Sequence, residues 1–484
     1  MSPAGAPLVA GHVRYGTRAG WGLLLAVVTG SAIAFLDATV VNVALPTIGA
    51  DLDATFAELQ WVVTGYTLTL AAFIMVSGSL ADRLGRRRVY VWGIVAFAVT
   101  SALCAAAPTV EVLIGARVLQ GVAGALVTPG SLAIIQASFV REDRGRAIGM
   151  WAGIVGLAPA VGPPLGGWLT EVNWRWVFLV NVPVAAAALL LTARFVPEST
   201  DPAAQQRLDW PGALLAVLAL GALTTSLVFA GGEGTSSGPL LVVGAAVVAV
   251  LAGVAFVWWE ARAPAPMLPL GMFGNRTFAV TNVVTLGVYA ALSGMLFFLV
   301  IQLQTSLGYR PVAAGLASLP IPVVLLLFSA RAGALPERVG PRLPLVAGPL
   351  VAAVGVAWLA TIDSDTSYLT GVLPGLLVFA TGLVILVAPL TTTVLAAAPD
   401  RLAGTASGVN NAISRTGGLI AIAALPTVVG LSGEDYADPT ALTAGFAPAM
   451  LICAGLLAAS GLAALAVPNT LDACLPNDQA PAGG

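Results

Sequence analysis

The sequence has few charged residues and no lysine at all. Charged side chains make up 9% of its 484 residues, and hydrophobic side chains make up 58%. The surface of a soluble protein is roughly a quarter to a third charged, so this chain cannot surround itself with water. That excludes a soluble enzyme, a nucleic-acid-binding protein and a disordered chain. The missing lysine also excludes a phosphate-binding loop of the G-x-x-x-x-G-K type, and with it ATP-driven pumping by this chain.

Histidine and cysteine are almost absent as well. The one histidine, His12, precedes the first long apolar segment, and the three cysteines are Cys104, Cys453 and Cys474. Three scattered cysteines do not suffice for a disulfide framework or a metal cluster. No histidine is available within the apolar segments as a metal ligand or proton carrier. We therefore expect no metal and no cofactor.

Long apolar segments, in contrast, recur along the whole chain. A helix needs about 20 apolar residues to cross a bilayer, and fourteen charge-poor windows of about that length follow one another. They are 21–45, 59–81, 89–107, 109–138, 147–170, 176–193, 210–232, 239–259, 277–303, 312–330, 343–362, 370–396, 406–430 and 445–466. Backbone groups in hydrocarbon must be satisfied within the protein. The windows therefore predict an all-α polytopic membrane protein with fourteen transmembrane helices.

The arginines are distributed unevenly between the predicted loops. If the N-terminus is cytoplasmic, seventeen of the 21 arginines lie at cytoplasmic ends and loops, and two, Arg175 and Arg310, lie on the opposite side. Arginine-rich loops are retained in the cytoplasm. We therefore predict a multi-pass protein of the cytoplasmic membrane with both termini inside. The first window follows Arg14 and Arg18 without a signal-peptide cleavage site, so we expect it to remain as the first helix.

A sequence repeat divides the chain. The stretch Gly78–Arg87 recurs 255 positions later as Gly333–Arg342, with Gly, Leu, an acidic residue, Arg, Gly and Arg in the same register. This offset spans eight predicted helices, which fits two six-helix halves separated by two inserted helices. Duplicated halves are typical of secondary transporters. The predicted units are a tail (1–20), a six-helix bundle (21–195), two additional helices with their loops (196–276), a second six-helix bundle (277–466) and a C-terminal tail (467–484).

Four motifs resemble those of a known transporter family. They are Leu36–Pro46, Gly78–Arg87, Arg117–Gly121 and Ala158–Gly167, with support from Trp174–Phe178 and Asn181–Pro183. Across its whole length the chain resembles the fourteen-helix drug:proton antiporters of the major facilitator superfamily. The resemblance implies a secondary active transporter, not an enzyme, that exports a hydrophobic or cationic small molecule and uses the proton gradient as its energy source. We expect a monomer in contact with membrane lipids and with no nucleic-acid partner.

Asp37 is the one carboxylate well inside a predicted span. A buried charge costs at least a few kcal/mol there, so such an acid is a candidate functional residue. Arg117 lies at a similar depth, about 12 Å from the outer end of its helix, and the two side chains can meet if their helices are neighbours. Burial would favour the neutral acid and a nearby Arg the charged one, as a titrating switch requires. An ionised Asp37 would also attract a cationic substrate.

The resemblance makes Arg117 a proton-coupling residue together with Asp37. Gln120, one helical turn from Arg117, can share its hydrogen bonds, and Asn42 is expected in the same supporting network. The alternatives are a permanently paired structural acid and an arginine that reaches toward the membrane surface.

The loop after the second helix is a candidate conformational gate. The gate residues are Gly78, Asp82, Arg83, Gly85 and Arg86. The resemblance implies that Asp82 meets a helix N-terminus from the other half, where an acidic group is favourable. Positive charge retained on the cytoplasmic side explains the arginines, but it does not explain the spacing of Gly78, Asp82 and Gly85.

The fifth predicted helix carries a motif of small residues and prolines, which are Pro159, Gly162, Pro163, Gly166 and Gly167. Proline removes a backbone hydrogen bond and kinks a helix, and glycine permits close helix approach. We expect a bend in this helix, with ordinary membrane packing as the alternative. The resemblance implies that the motif belongs to exporters.

Polar and aromatic residues within the predicted spans are candidates for a substrate cavity. They are Tyr66, Asn282, Tyr289, Gln302, Asn410, Asn411 and Arg415. Hydrogen bonding between helices is the alternative for most of them. Arg415 has no obvious acidic partner and could bind carbonyls, an anionic substrate or a lipid.

The leading functional hypothesis is a proton-coupled antiporter that exports amphipathic small molecules, such as drugs or antibiotics, by alternating access. One alternative is a translocator of lipids or lipid-linked molecules with the same fold. Another is a membrane sensor that transports nothing. A membrane-embedded enzyme is disfavoured, because no predicted loop or span carries a catalytic cluster.

Overall fold

The computed structural model describes residues 13–140, 143–155, 158–200, 208–230, 238–332, 339–363, 365–398, 402–431, 433–436 and 438–469. The described chain is almost entirely helical, and its one β-bridge joins Val13 to Phe139. This agrees with the predicted all-α class.

The helices follow the predicted apolar windows closely. The first part of the chain forms α1 (Arg18–Leu52), α2 (Phe56–Leu84), α3 (Arg86–Ala106), α4 (Val110–Ser138), α5 (Arg144–Val155), α6 (Ala158–Val172), α7 (Trp176–Leu179) and α8 (Asn181–Phe195). Two further helices are α9 (Trp210–Ala230) and α10 (Gly238–Glu260). The remainder forms α11 (Arg276–Thr305), α12 (Pro311–Ala317), α13 (Pro320–Ala332), α14 (Arg342–Leu359), α15 (Leu373–Ala396), α16 (Ala403–Val428) and α17 (Pro439–Ala463).

Twelve helical segments of the described chain are long and apolar enough to cross a membrane. The windows 147–170 and 406–430 are not among them. The first of these windows is divided between α5 and α6, and the second is the more polar helix α16. The count of fourteen spans therefore stays a prediction, while the described chain shows an all-helical protein with twelve candidate spans. The second copy of the repeat falls largely on 333–338, outside the described residues.

Local sequence signals explain where several helices begin and end. Thr55 and Glu58 form a reciprocal capping box at the start of α2, which satisfies two backbone groups that the helix leaves free. Gly85 separates α2 from α3 with φ at 109°, a conformation that other residues rarely adopt. This tight junction places the end of α2 beside the start of α3, where the predicted gate lies.

The first half of the chain packs against the second mainly through two pairs of helices, α6 with α12 and α2 with α16. The first contact depends on glycine, because an added Cβ at Gly167 or Gly315 would collide with the backbone of the opposite helix, at Pro311 and Pro163 respectively. The second includes a hydrogen bond from Gln60 Nε2 to the Ile422 carbonyl oxygen at 2.7 Å. Small residues and short polar contacts thus hold the halves together.

The two further helices α9 and α10 pack against each other, and α9 also contacts α2 and α16. Ala213 and Ala216 of α9 lie in one apolar cluster with Ala72 and Val76 of α2, and Thr427 of α16 donates to the Leu227 carbonyl at 2.9 Å. The α9 helix therefore touches both halves of the chain.

Candidate functional site

The Asp37 carboxylate lies in the middle of α1, is completely buried and has partners on both oxygens. Oδ2 accepts from Arg117 Nη1 of α4 at 2.5 Å. Oδ1 accepts from Gln120 Nε2 of α4 at 3.1 Å and from Asn181 Nδ2 of α8 at 2.9 Å. The two residues for which the sequence predicted a similar depth are thus in direct contact. A buried carboxylate is stable only with such pairing.

Arg117 is as completely enclosed as its partner, with 1% of its surface exposed. Its Nε donates to the Val62 carbonyl of α2 at 2.9 Å, and Nη1 also donates to Gln120 Oε1 at 2.6 Å. The guanidinium carbon lies 4.3 Å from the centre of the Tyr66 ring, close enough for a cation–π interaction. Charged hydrogen bonds of this kind are about twice as strong as neutral ones, so the pair ties α1, α2 and α4 together.

Two residues missing from the sequence prediction complete the network. Ser101 Oγ of α3 accepts from Gln120 Nε2 at 2.7 Å and from Asn181 Nδ2 at 3.3 Å. Asn181 Oδ1 is buried and has no hydrogen-bond partner. Such an orphan acceptor is uncommon, and here it belongs to the amide that contacts Asp37. The Asn181–Pro183 motif was the available signal, but it gave no indication of which helix α8 would face.

Asn42 does not join this network, contrary to the expectation. Its Oδ1 is buried without a partner. Asn42 follows Asp37 by five residues, which rotates it by about 140° around the helix, so the two side chains leave α1 in different directions.

Asp37, which was expected to attract a cationic substrate, is not accessible to one in this structure. Both oxygens are occupied by protein donors, and no part of the side chain is exposed. Because Arg117 neutralises the carboxylate at contact distance, the pair as a whole presents no net negative charge to a ligand.

The predicted gate is arranged differently from the expectation. Asp82 forms an ion pair with Arg86 at 2.7 Å, one helical turn away, and Arg83 is exposed. Glu198, rather than Asp82, is the acidic residue at a helix N-terminus. It accepts from the backbone nitrogens of Arg87 at 3.1 Å and Arg88 at 3.2 Å, at the start of α3. Within the described residues Asp82 has no hydrogen bond or ion pair with the second half, so that part of the chain does not show the expected contact.

The glycines of the fifth-helix motif lie where α6 approaches its neighbours most closely. An added Cβ at Gly162 would collide with Thr39 Oγ1 of α1, and one at Gly166 would lie 2.8 Å from the Val40 carbonyl oxygen. Pro163 lies inside α6, as does the backbone of Pro159. Close approach, the common function of small residues in membrane helices, accounts for the glycines on both faces of α6.

Most of the predicted cavity residues form hydrogen bonds between or within helices. Hydrogen bonding between helices was the alternative to a function in substrate binding. Asn410 Nδ2 donates to Asn282 Oδ1 at 3.1 Å and joins α16 to α11. Gln302 Nε2 donates to Thr443 Oγ1 at 3.0 Å, and Asn411 donates to the Ser407 carbonyl in its own helix. Tyr66 belongs to the Arg117 network.

Arg415 of α16 lies between the halves. Its guanidinium carbon is 5.3 Å from the centre of the Phe35 ring on α1. Of the predicted cavity residues, Arg415 and Tyr289 are the two whose side chains form no hydrogen bond within the described chain, and they remain candidates for contact with a substrate.

Comparison with known proteins agrees with the fold. The sequence profile of the Major Facilitator Superfamily matches residues 27–422. The multidrug resistance protein Stp of Mycobacterium tuberculosis is 36% identical over 84% of this chain and 75% of its own length. The puromycin resistance protein pur8 of Streptomyces alboniger is 37% identical over 87% and 84%. A crystal structure of a POT family transporter in complex with a peptide conjugate superposes with a TM-score of 0.67 at 13% identity, over 93% of this chain and 96% of the other.

Proposed function

This chain belongs to the Major Facilitator Superfamily, and we propose that it is a proton-coupled antiporter that exports amphipathic small molecules, such as drugs or antibiotics, from the cytoplasm. The fully buried pair of Asp37 and Arg117 carries this proposal. Relatives named for multidrug and puromycin resistance support the export of such compounds.

In the proposed cycle, Asp37 takes up one proton and later releases it. Protonation removes the negative charge that holds Arg117, and an ion pair broken on one side inside a protein is strongly unstable. Arg117 must then find other acceptors, and the contact between α1 and α4 weakens. The new O–H group of Asp37 has an acceptor available in Asn181 Oδ1, which is buried without a partner and can turn toward the acid by rotation of the amide.

Alternating access is supported by the contacts between the halves. Three side-chain hydrogen bonds join them in the described chain: Gln60 to the Ile422 carbonyl, Gln304 to the Val43 carbonyl, and Arg310 to Glu171. With the orientation that the arginines predict, all three lie toward the outer surface. We propose that this arrangement is a state closed to the outside, and that transport requires these contacts to open.

We further propose fourteen spans, with α9 and α10 as the pair inserted between two six-helix halves, and both termini in the cytoplasm. The helices α5 with α6 and α16 supply the two spans beyond the twelve. The repeat across an offset of eight helices supports this division, and we propose that the exporter is a monomer.

The test is drug-dependent proton flux in proteoliposomes. Asp37→Asn removes the titrating group and keeps the shape, so it should abolish efflux driven by a pH gradient while the protein remains folded. Asp53→Asn is the matched control, because Asp53 is an exposed carboxylate at the end of the same helix. Its left-handed backbone, with φ at 50°, is one that asparagine tolerates. Normal proton-coupled efflux from Asp37→Asn would place the coupling site elsewhere.

A further inference from the structure

Arg415 is a charged residue in the middle of α16 without an acidic partner among the described residues. The ion pairs of the described chain are Asp82–Arg86, Asp37–Arg117, Asp51–Arg175 and Glu171–Arg310. Arg415 is partly buried, and its guanidinium carbon lies 5.3 Å from the centre of the Phe35 ring on the opposite half of the protein. An arginine at membrane depth is costly unless it meets water, an anion or a carbonyl.

The charges around Arg415 do not cancel its own. Phe35 is two residues from Asp37, but that carboxylate is already neutralised by Arg117 and has no exposed surface. Tyr66 and Tyr289 lie on α2 and α11, which pack against α16, and tyrosine side chains are neutral at physiological pH. Arg415 therefore faces α1 as a positive charge next to an aromatic ring.

We propose that Arg415 binds the anionic group of the exported substrate, so that the preferred substrates are amphipathic anions such as aromatic or alkyl carboxylates. The inference depends on the proposed export function and replaces the cationic substrate that the sequence suggested. The guanidinium group matches a carboxylate with two parallel hydrogen bonds, and Phe35 and Tyr289 offer apolar surface for the rest of the molecule. An anion is also driven outward by a membrane potential that is negative inside.

The test is equilibrium binding to purified protein in nanodiscs of zwitterionic lipid, without any gradient. Three ligands share one apolar body: 4-hexylbenzoate, 4-hexylbenzylamine and 4-hexylbenzamide, which are anionic, cationic and neutral near pH 7. The wild-type protein should bind the benzoate about tenfold more tightly than the amine, as one additional charged hydrogen-bonded contact provides. Because no proton movement is measured, a failure of proton coupling leaves this result unchanged.

Three variants locate the effect. Arg415→Gln should weaken benzoate binding about tenfold and leave benzamide binding unchanged. Arg415→Lys should lose less benzoate affinity than Arg415→Gln, because it keeps the positive charge but not the two parallel hydrogen bonds. Arg262→Gln is the matched control, because Arg262 is exposed at the end of α10 and also lies over an aromatic ring. Its guanidinium carbon is 4.6 Å from the centre of the Trp258 ring. If the Arg415→Gln protein does not fold, the preference of the wild-type protein for the benzoate over the amine decides the test.

Several results would overturn the proposal. A wild-type protein that binds the amine at least as tightly as the benzoate has no anion site. Equal losses of benzoate and benzamide in folded Arg415→Gln protein would show that Arg415 only supports the structure. If phosphatidylglycerol in the nanodiscs abolishes benzoate binding to the wild-type protein, the occupant of Arg415 is a lipid phosphate rather than an exported anion.

Discussion

Replacement of Arg117 by alanine tests the central ion pair most directly. The variant leaves the Asp37 carboxylate buried with only the amides of Gln120 and Asn181 as donors. It also removes the bond to the Val62 carbonyl and the contact with the Tyr66 ring. Removing one partner of a buried ion pair costs about 3–5 kcal/mol. Asp37 can avoid most of this cost by remaining protonated, and one pH unit corresponds to about 1.4 kcal/mol. If protonation avoids only half of this cost, the pH optimum of transport should still move upward by about one pH unit or more.

The assay compares Arg117→Ala with Arg175→Ala. Arg175 forms an ion pair of similar length with Asp51, at 2.9 Å, but both side chains are partly exposed, at 33% and 49%, and such pairs contribute about 0–1 kcal/mol. Thermal unfolding at pH 5 and pH 8 and the pH profile of proton-coupled efflux are measured for both. We expect Arg117→Ala to lose more stability at pH 8 than at pH 5, because the neutral acid needs no cation. If Arg117→Ala has the stability and pH profile of Arg175→Ala, the pair has no function in coupling.

Two further predictions concern the orientation and the gate. A cysteine in place of the exposed Ser367 should react with an impermeant thiol reagent in intact cells, and one in place of Ala261 should react only after lysis; the reverse pattern would invert the topology. Asp82→Asn should slow turnover and leave substrate affinity unchanged, because it breaks the ion pair with Arg86 at the rim without touching the ligand. Unchanged turnover of a stable Asp82→Asn protein, with Asp363→Asn as the control, would remove Asp82 from the gate.

The sequence predicts the helices and the central ion pair because both depend on distances along one chain. Each long apolar window leaves the backbone only one satisfied conformation in lipid, and the rise per residue gives the depth of Asp37 and Arg117. Because Asp37 and Arg117 lie at equal depth, their side chains can meet, and the packing of α1 against α4 brings them into contact.

The remaining parts of the site depend on which helices are neighbours and which way each side chain points. Ser101 and Asn181 enter the network because α3 and α8 pack beside α1 and α4, which no spacing within one helix reveals. Asn42 lies outside the network because its side chain leaves α1 in a different direction from that of Asp37. Glu198 reaches the start of α3 from a segment outside the apolar windows, where periodicity gives no guidance. Asn282 and Asn410 satisfy each other across α11 and α16.

The ion pair and the contacts between the halves are joined by short segments of two helices. On α2, the Val62 carbonyl that accepts from Arg117 lies two residues from Gln60, which donates to Ile422 of α16. On α1, Asp37 lies six residues from Val43, whose carbonyl accepts from Gln304 of α11, a rise of about 9 Å. Loss of the attraction between Asp37 and Arg117 would therefore act on α1 and α2, which carry two of the three side-chain hydrogen bonds between the halves. In the proposed cycle, a proton bound to Asp37 would in this way change the contacts with the second half, although the hydrogen bonds of Asp37 in the described chain all lie within the first half.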